Sequence, residues 1–307
     1  RSCYKRMGNM KLLDEWEGMR RQLGLLQRRN FGSRSLRRMT ESATHMGEDT
    51  AVVVATGSSP VHWPMLAALL GSLLAQESPV EAHVFSLVGE PSPPLHAWFT
   101  GSELWRVRNV THQLVPRRFS PADWGGEPRL IAEANYRREY MSSPYVWLKF
   151  FLDLYFSDNL KTVLFLDVDV LVLVPRLADV FRQSWPPDDP SLPYAMPFIN
   201  QAVKWTLSRR AKDSRCFIEA ANRLAIKSIN SGVALVSIRD VPWSRIRGAF
   251  SQLAAHHNHS SIYSLATQPE VMLLGLVREL QLGGEYAYVG FLGHPTAFDA
   301  IHGRARI

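Results

Sequence analysis

Cysteine is nearly absent from this sequence: two residues in 307, Cys3 and Cys216. Neither stands in a C-x-x-C or zinc-type spacing, which excludes a disulfide scaffold and a cysteine-held zinc. A long hydrophobic run is also missing. The longest apolar stretch, Met65 to Ala75, falls short of the roughly 20 residues a membrane helix needs. No internal repeat is visible, so a solenoid is excluded. Charged residues make up 21% and hydrophobic residues 46%, which excludes a disordered chain. The remainder is ordinary globular usage, with nine Trp, fourteen Phe and nine Tyr for a large core.

A net charge of +7 suggests an acidic partner until it is located. Residues 1–48 hold eleven Lys/Arg against five Asp/Glu; the rest holds 24 against 23. The excess belongs to the leader, so the main body lacks the basic face that nucleic-acid binding needs. Within the leader, Leu12, Trp16, Met19, Leu23 and Leu26 repeat at helical spacing. A Ser-, Gly- and Arg-rich linker follows. The expected organisation is a basic stem over 1–48 with a short amphipathic helix, then one main domain over 49–307. The chain opens on Arg1, which reads as a processed or partial product with any anchor upstream.

From Ala51 the texture alternates. Strands are expected at Ala51–Ala55, His83–Val88, Trp105–Val115, Thr162–Leu166 and Val233–Ile238. Helices are expected at Trp63–Ala75 and over 129–157, with a break at Ser142-Ser143-Pro144. Such alternation means an α/β domain with a mostly parallel sheet flanked by helices. Its ligand site belongs at the carboxyl ends of strands, where their order switches.

The strongest chemical signal is Val163-Leu164-Phe165-Leu166-Asp167-Val168-Asp169-Val170. Two carboxylates interrupt an apolar run, and buried carboxylates are costly unless paired or bound to metal. In a regular strand, positions i and i+2 share a face. Both acids then reach one hard cation, which in turn holds a diphosphate. Two acids at a strand end also serve as helix caps or partners for Lys/Arg. The same letters serve haloacid-dehalogenase-type phosphatases as a nucleophile. There Gly-Thr usually follows and the motif comes early, whereas here Val170-Leu171 follows and the motif comes late.

Context favours the metal reading. Lys149 lies in Val146-Trp147-Leu148-Lys149-Phe150, ahead of the acids, and Ile229-Asn230-Ser231-Gly232-Val233 follows them. In this order and spacing the chain resembles glycosyltransferase family 8, especially its xylosyltransferase-like branches, over roughly residues 50–303. The resemblance implies a GT-A type Rossmann-like fold that binds a nucleotide sugar, usually UDP-linked, with Mn²⁺ or Mg²⁺. It assigns Asp167 and Asp169 to the metal, with His302 as the third ligand and His294 as its competitor. Ala55, Thr56, Lys149, Val168, Asn230, Ser231, Gly232 and Gly303 would line the donor. Gln268 and Asp169 would be catalytic.

Two departures from the family pattern stand out. Thr267-Gln268-Pro269-Glu270 replaces an Asp-Gln-Asp run, and the chain stops soon after His302-Gly303. The implied function is a metal-dependent, retaining transfer of a sugar to a hydroxyl on a glycan, glycoprotein or small molecule. The rival on the same fold is a non-catalytic sugar-nucleotide-binding or scaffold domain, which both departures favour. Asn109-Val110-Thr111 and Asn258-His259-Ser260 fit the N-glycosylation pattern. With the basic leader, they point to a type II protein of the Golgi or endoplasmic-reticulum lumen, or a cytoplasmic one if bacterial. Membrane contact is expected only through an upstream anchor.

Overall fold

Residues 51–55 are apolar without alternation, as a strand covered on both faces requires, and they form β1 (Thr50–Ala55). The computed structural model describes residues 50–55, 60–98, 104–107, 109–124, 144–156, 160–172, 177–184, 193–202, 227–229, 231–239, 241–248 and 277–279. Helix α1 (Trp63–Leu74) begins with Pro64 in its first turn and buries Leu66, Leu69, Leu70 and Leu73. That 3-1-3 spacing makes one apolar stripe, and truncating a leucine there to alanine costs about 2–5 kcal/mol.

Besides short helical turns, the other described elements are β2 (Glu81–Leu87), β3 (Leu104–Val107), β4 (Val110–Phe119), β5 (Thr162–Asp167), α2 (Leu177–Ser184), β6 (Tyr194–Met196), β7 (Phe198–Ala202), β8 (Lys227–Ile229), β9 (Val233–Ser237) and β10 (Val277–Glu279). Eight of these strands make one sheet in the order β10-β6-β9-β5-β1-β2-β4-β3, and β7 and β8 make a separate pair. Within the large sheet, β3 and β9 run against the other six strands. The expected mostly parallel α/β sheet is present.

The expected single strand over Trp105–Val115 is instead a hairpin. Val107 pairs with Val110, and Asn109 between them takes φ 67°. Asn tolerates this left-handed conformation better than most residues, so its turn chemistry overrides the surrounding β-propensity. Beyond Gln113, β4 has no β3 partner among the described residues. This is why Pro116, which lacks an N–H, is tolerated there. In its described part, 144–156, the expected helix over 129–157 is not continuous: an α-helical turn at Pro144–Trp147 is followed by 3₁₀ turns at Leu148–Phe150 and Leu152–Leu154.

Alternation along the strands separates two cores. Val53, Val163, Phe165 and Val236 face the 144–156 segment, with Trp124, Phe151 and Trp243. Val52, Val54, Leu164, Leu166 and Leu235 face α1 and α2. The result is three layers, with the sheet in the middle. A stacked column of Phe119, Trp124 and Phe151, with ring centroids 5.9 and 4.2 Å apart, fills the first core.

Candidate functional site

The last register pair between β1 and β5 is Ala55 with Asp167. Strands β2 and β4 lie to one side of β1, while β5 and its neighbours lie to the other. The strand order therefore switches between β1 and β5, and open α/β sheets bind ligands outside the carboxyl ends of strands at such a switch. On the far side of β5, the Asp167 N–H donates to the Gly232 carbonyl at 2.8 Å. Because β9 is antiparallel, its beginning, Gly232-Val233, meets the end of β5.

Asp167 and Asp169 do not share a strand face. The strand ends at Asp167, and the Val170 N–H donates to the Asp167 carbonyl at 3.1 Å, closing a turn. The ladders end there too: Leu166–Val233 is the last pair with β9 and Ala55–Asp167 the last with β1. Without a neighbour to hold it extended, the chain bends. Asp169 is exposed, Asp167 is half-buried, and Val168 between them packs against the α1-side core.

Lys149 is not a helix-surface lysine. It lies in the turn Leu148–Phe150 with only 2% of its surface exposed. Its ammonium donates to the Ser231 carbonyl at 3.0 Å and sits 4.9 Å from the centroid of the Phe165 ring. Burial pushes its pKa down, and the nearby Asp167 opposes that. For Asp167 the order is the reverse: burial pushes its pKa up, Lys149 pulls it down, and Asp169 pushes it up again. Asp167 thus feels opposing pulls from one buried cation and a second carboxylate.

The segment that carries Lys149 is docked by residues the sequence did not single out. The Tyr145 hydroxyl accepts from the Leu87 N–H at 2.9 Å and donates to Glu90 Oε2 at 2.7 Å. Gly89, at φ 88°, turns the chain after β2 to bring Glu90 there, a conformation that suits glycine. Arg247 Nη1 and Nη2 donate to Asp153 Oδ1 and Oδ2 at 2.7 and 3.1 Å, and Nη1 also donates to the Phe150 carbonyl at 3.0 Å. Nothing local in the text around Tyr145 or Arg247 marks them, since each acts on a segment far away in sequence.

Among the described residues no group of three or more His, Cys, Asp or Glu side chains gathers. Asp167 and Asp169 stand as a pair of oxygen donors. One is desolvated and repelled by the other, a donor set that fits a hard divalent cation shared with a diphosphate. Of the residues expected in the site, Ala55, Lys149, Asp167, Val168, Asp169, Ser231 and Gly232 are all placed at this end of β5 or beside it. Thr56, Asn230, Thr267, Gln268, His294, His302 and Gly303 lie outside the described residues, as do the 1–48 leader and Asn258.

No family model matches the chain, and no curated protein matches it in sequence. Solved structures do match. The apo crystal structure of mouse xyloside xylosyltransferase 1 superposes with a TM-score of 0.52 at 14% identity, over 82% of this chain and 93% of that one. The galactosyltransferase LgtC, in complex with donor and acceptor sugar analogues, gives a TM-score of 0.48 at 16% identity, over 75% and 72%. Core-mannan synthase A from Aspergillus fumigatus, in a Mn/GDP form, gives 0.47 at 11%, over 78% and 74%. The first of these likenesses shows the fold: this chain has a GT-A-like fold.

Proposed function

We propose that this chain is a metal-dependent, retaining glycosyltransferase of family 8, moving a sugar from a UDP-linked donor to a hydroxyl acceptor. One observation carries the reading. Asp167, the buried Lys149 and the Ser231–Gly232 backbone converge on the carboxyl end of β5, beside Ala55 of β1, at the strand-order switch. The fold shared with a xylosyltransferase supports it.

In this reading Asp167 and Asp169 hold Mn²⁺, with His302 as the third ligand. The cation, when bound, offsets the charge of the leaving diphosphate as the glycosidic bond breaks. The chain's own groups do the remainder. Lys149 holds the Ser231 carbonyl and keeps a positive charge under Asp167, which favours the carboxylate form. Gly232 lets the donor sugar approach the backbone beside Asp167. Gln268 stabilises the oxocarbenium-like state, and Ala55 and Thr56 line the nucleoside. We further propose a location in the Golgi or endoplasmic-reticulum lumen, with residues 1–48 as stem. Asn109, exposed at the β3–β4 turn, would be glycosylated there.

The decisive experiment is thermal unfolding with a panel of UDP- and GDP-sugars, with Mn²⁺ and with EDTA, followed by donor hydrolysis. A ligand at 100 times its dissociation constant adds about 2.7 kcal/mol. A shift that needs both a UDP-sugar and Mn²⁺, with UDP released, is the expected result. Binding without turnover would identify the non-catalytic domain, and no shift with any donor would overturn the proposal.

A further inference from the structure

Helix α1 lies on the sheet face away from Lys149, yet it grips the chain just after Asp169. Ser72 is half-buried on α1. Its hydroxyl donates to the Leu69 carbonyl at 2.6 Å and accepts from the Val172 N–H at 3.0 Å. One turn further on, Gln76 is buried, with 4% of its surface exposed. Its Oε1 accepts from the Leu177 N–H at 2.9 Å, at the first residue of α2, and its Nε2 donates to the Ser72 carbonyl at 3.3 Å. The two contacts span 100 and 101 residues of sequence.

These contacts have a geometric consequence. At one end the turn carrying Asp169 is fixed by the β5 ladder and by the Val170 N–H to Asp167 carbonyl bond. At the other end no strand partner exists for Val172 among the described residues. The Ser72 hydroxyl supplies the missing acceptor three residues after Asp169. Asp169 itself is exposed, so no packing of its own side chain holds it. Its position is set by the two ends of the short segment it sits in. Buried polar side chains on an otherwise apolar helix are costly unless they meet a backbone group. Ser72 and Gln76 meet two, both on the segment that follows the acids.

We infer that Ser72 and Gln76 are positioning residues for the carboxylate pair: a two-point clamp from α1 that holds the chain at Val172 and at Leu177 and so sets where Asp169 stands. The inference rests on the metal reading of Asp167 and Asp169. It adds that metal affinity depends on a hydroxyl of α1 that touches neither metal nor donor. Losing one neutral hydrogen bond from such a clamp corresponds to roughly fivefold in an equilibrium constant.

The test uses the full chain, with Mn²⁺ titrated by electron paramagnetic resonance at saturating UDP. Ser72→Ala is expected to weaken Mn²⁺ about fivefold. Ser72→Thr, which keeps the hydroxyl, is expected to bind like wild type. Gln76→Met removes the second acceptor at similar volume and should weaken Mn²⁺ in the same direction; it carries the test if Ser72→Ala does not fold. Leu73→Val, a core change on the same helix, should lower the melting temperature without moving Mn²⁺ affinity. Two results would overturn the clamp. One is Ser72→Ala and Gln76→Met binding Mn²⁺ as wild type does while Asp169→Asn has lost it. The other is Ser72→Thr binding as weakly as Ser72→Ala, which would assign the loss to packing. If Asp169→Asn also bound Mn²⁺ at full strength, the metal reading itself would fail, and the clamp with it.

Discussion

Lys149 and Ser231 are 82 residues apart in sequence and are joined by one hydrogen bond of 3.0 Å, from a buried ammonium to a backbone carbonyl. The bond ties the 144–156 layer to the start of β9, and the same ammonium pulls the pKa of Asp167 down against its burial.

Replacing this lysine tests the link. Lys149→Met keeps the length and the apolar stem but removes the ammonium that donates to the Ser231 carbonyl and pulls the Asp167 pKa down. A hydrogen bond from a charged group contributes about 1.5–3 kcal/mol, so chemical unfolding should show a loss in that range. Donor binding should fall as well. Full donor affinity in a destabilised Lys149→Met protein would show that the lysine serves the fold alone.

Asp169 separates function from stability in the other direction. It is exposed, and surface changes usually stay within about 0.5 kcal/mol. Asp169→Asn should therefore melt like wild type and lose Mn²⁺-dependent UDP-sugar binding. Asp167→Asn should lose nearly as much binding. Mn²⁺-dependent transfer at the wild-type rate in Asp169→Asn would remove the central claim.

Arg247 braces the layer that holds Lys149. Its forked contact with Asp153 is mostly buried, and its guanidinium lies 5.3 Å from the Phe151 ring centroid. Lysine cannot reproduce the fork. Arg247→Lys should cost about 2 kcal/mol, read by urea unfolding. A cost indistinguishable from zero would show that the brace is dispensable.

His112 supplies a pH dependence unrelated to the site. It is buried at 1% exposure, and neither ring nitrogen has a hydrogen-bond partner among the described residues. Burial pushes its pKa below the usual histidine value. The unfolded chain then takes up a proton near pH 6.5, before the folded one does. Stability is fully present above that pH and falls as pH drops towards the folded pKa. His83 acts in the same direction, lowered by burial against the pull of Glu81. His112→Leu should flatten the acid limb of a stability–pH curve between 7 and 5. It should also add about 1 kcal/mol at neutral pH, since no unpaired ring nitrogen is buried. An unchanged slope would mean that His112 keeps its proton equilibrium on folding.

The sequence by itself determined the frame. The unbroken apolar runs of β1 and β5 could only be strands buried on both faces, and the leucine spacing of α1 could only be a helix lying on a sheet. The two acids at the end of β5 were legible for the same reason: they stand out against local apolar text. Tertiary structure decided the rest. It turned the expected strand at Trp105–Val115 into a hairpin and broke the expected helix after Pro144 into short helical pieces. It placed Asp169 in a bend beyond the strand and buried Lys149 against Phe165 and the Ser231 carbonyl. It also gave Ser72 and Tyr145 backbone partners that no neighbouring residue announces. Each of these depends on which segments meet across the sheet, and periodicity, being a property of adjacent residues, carries no record of a contact made 82 or 100 positions away.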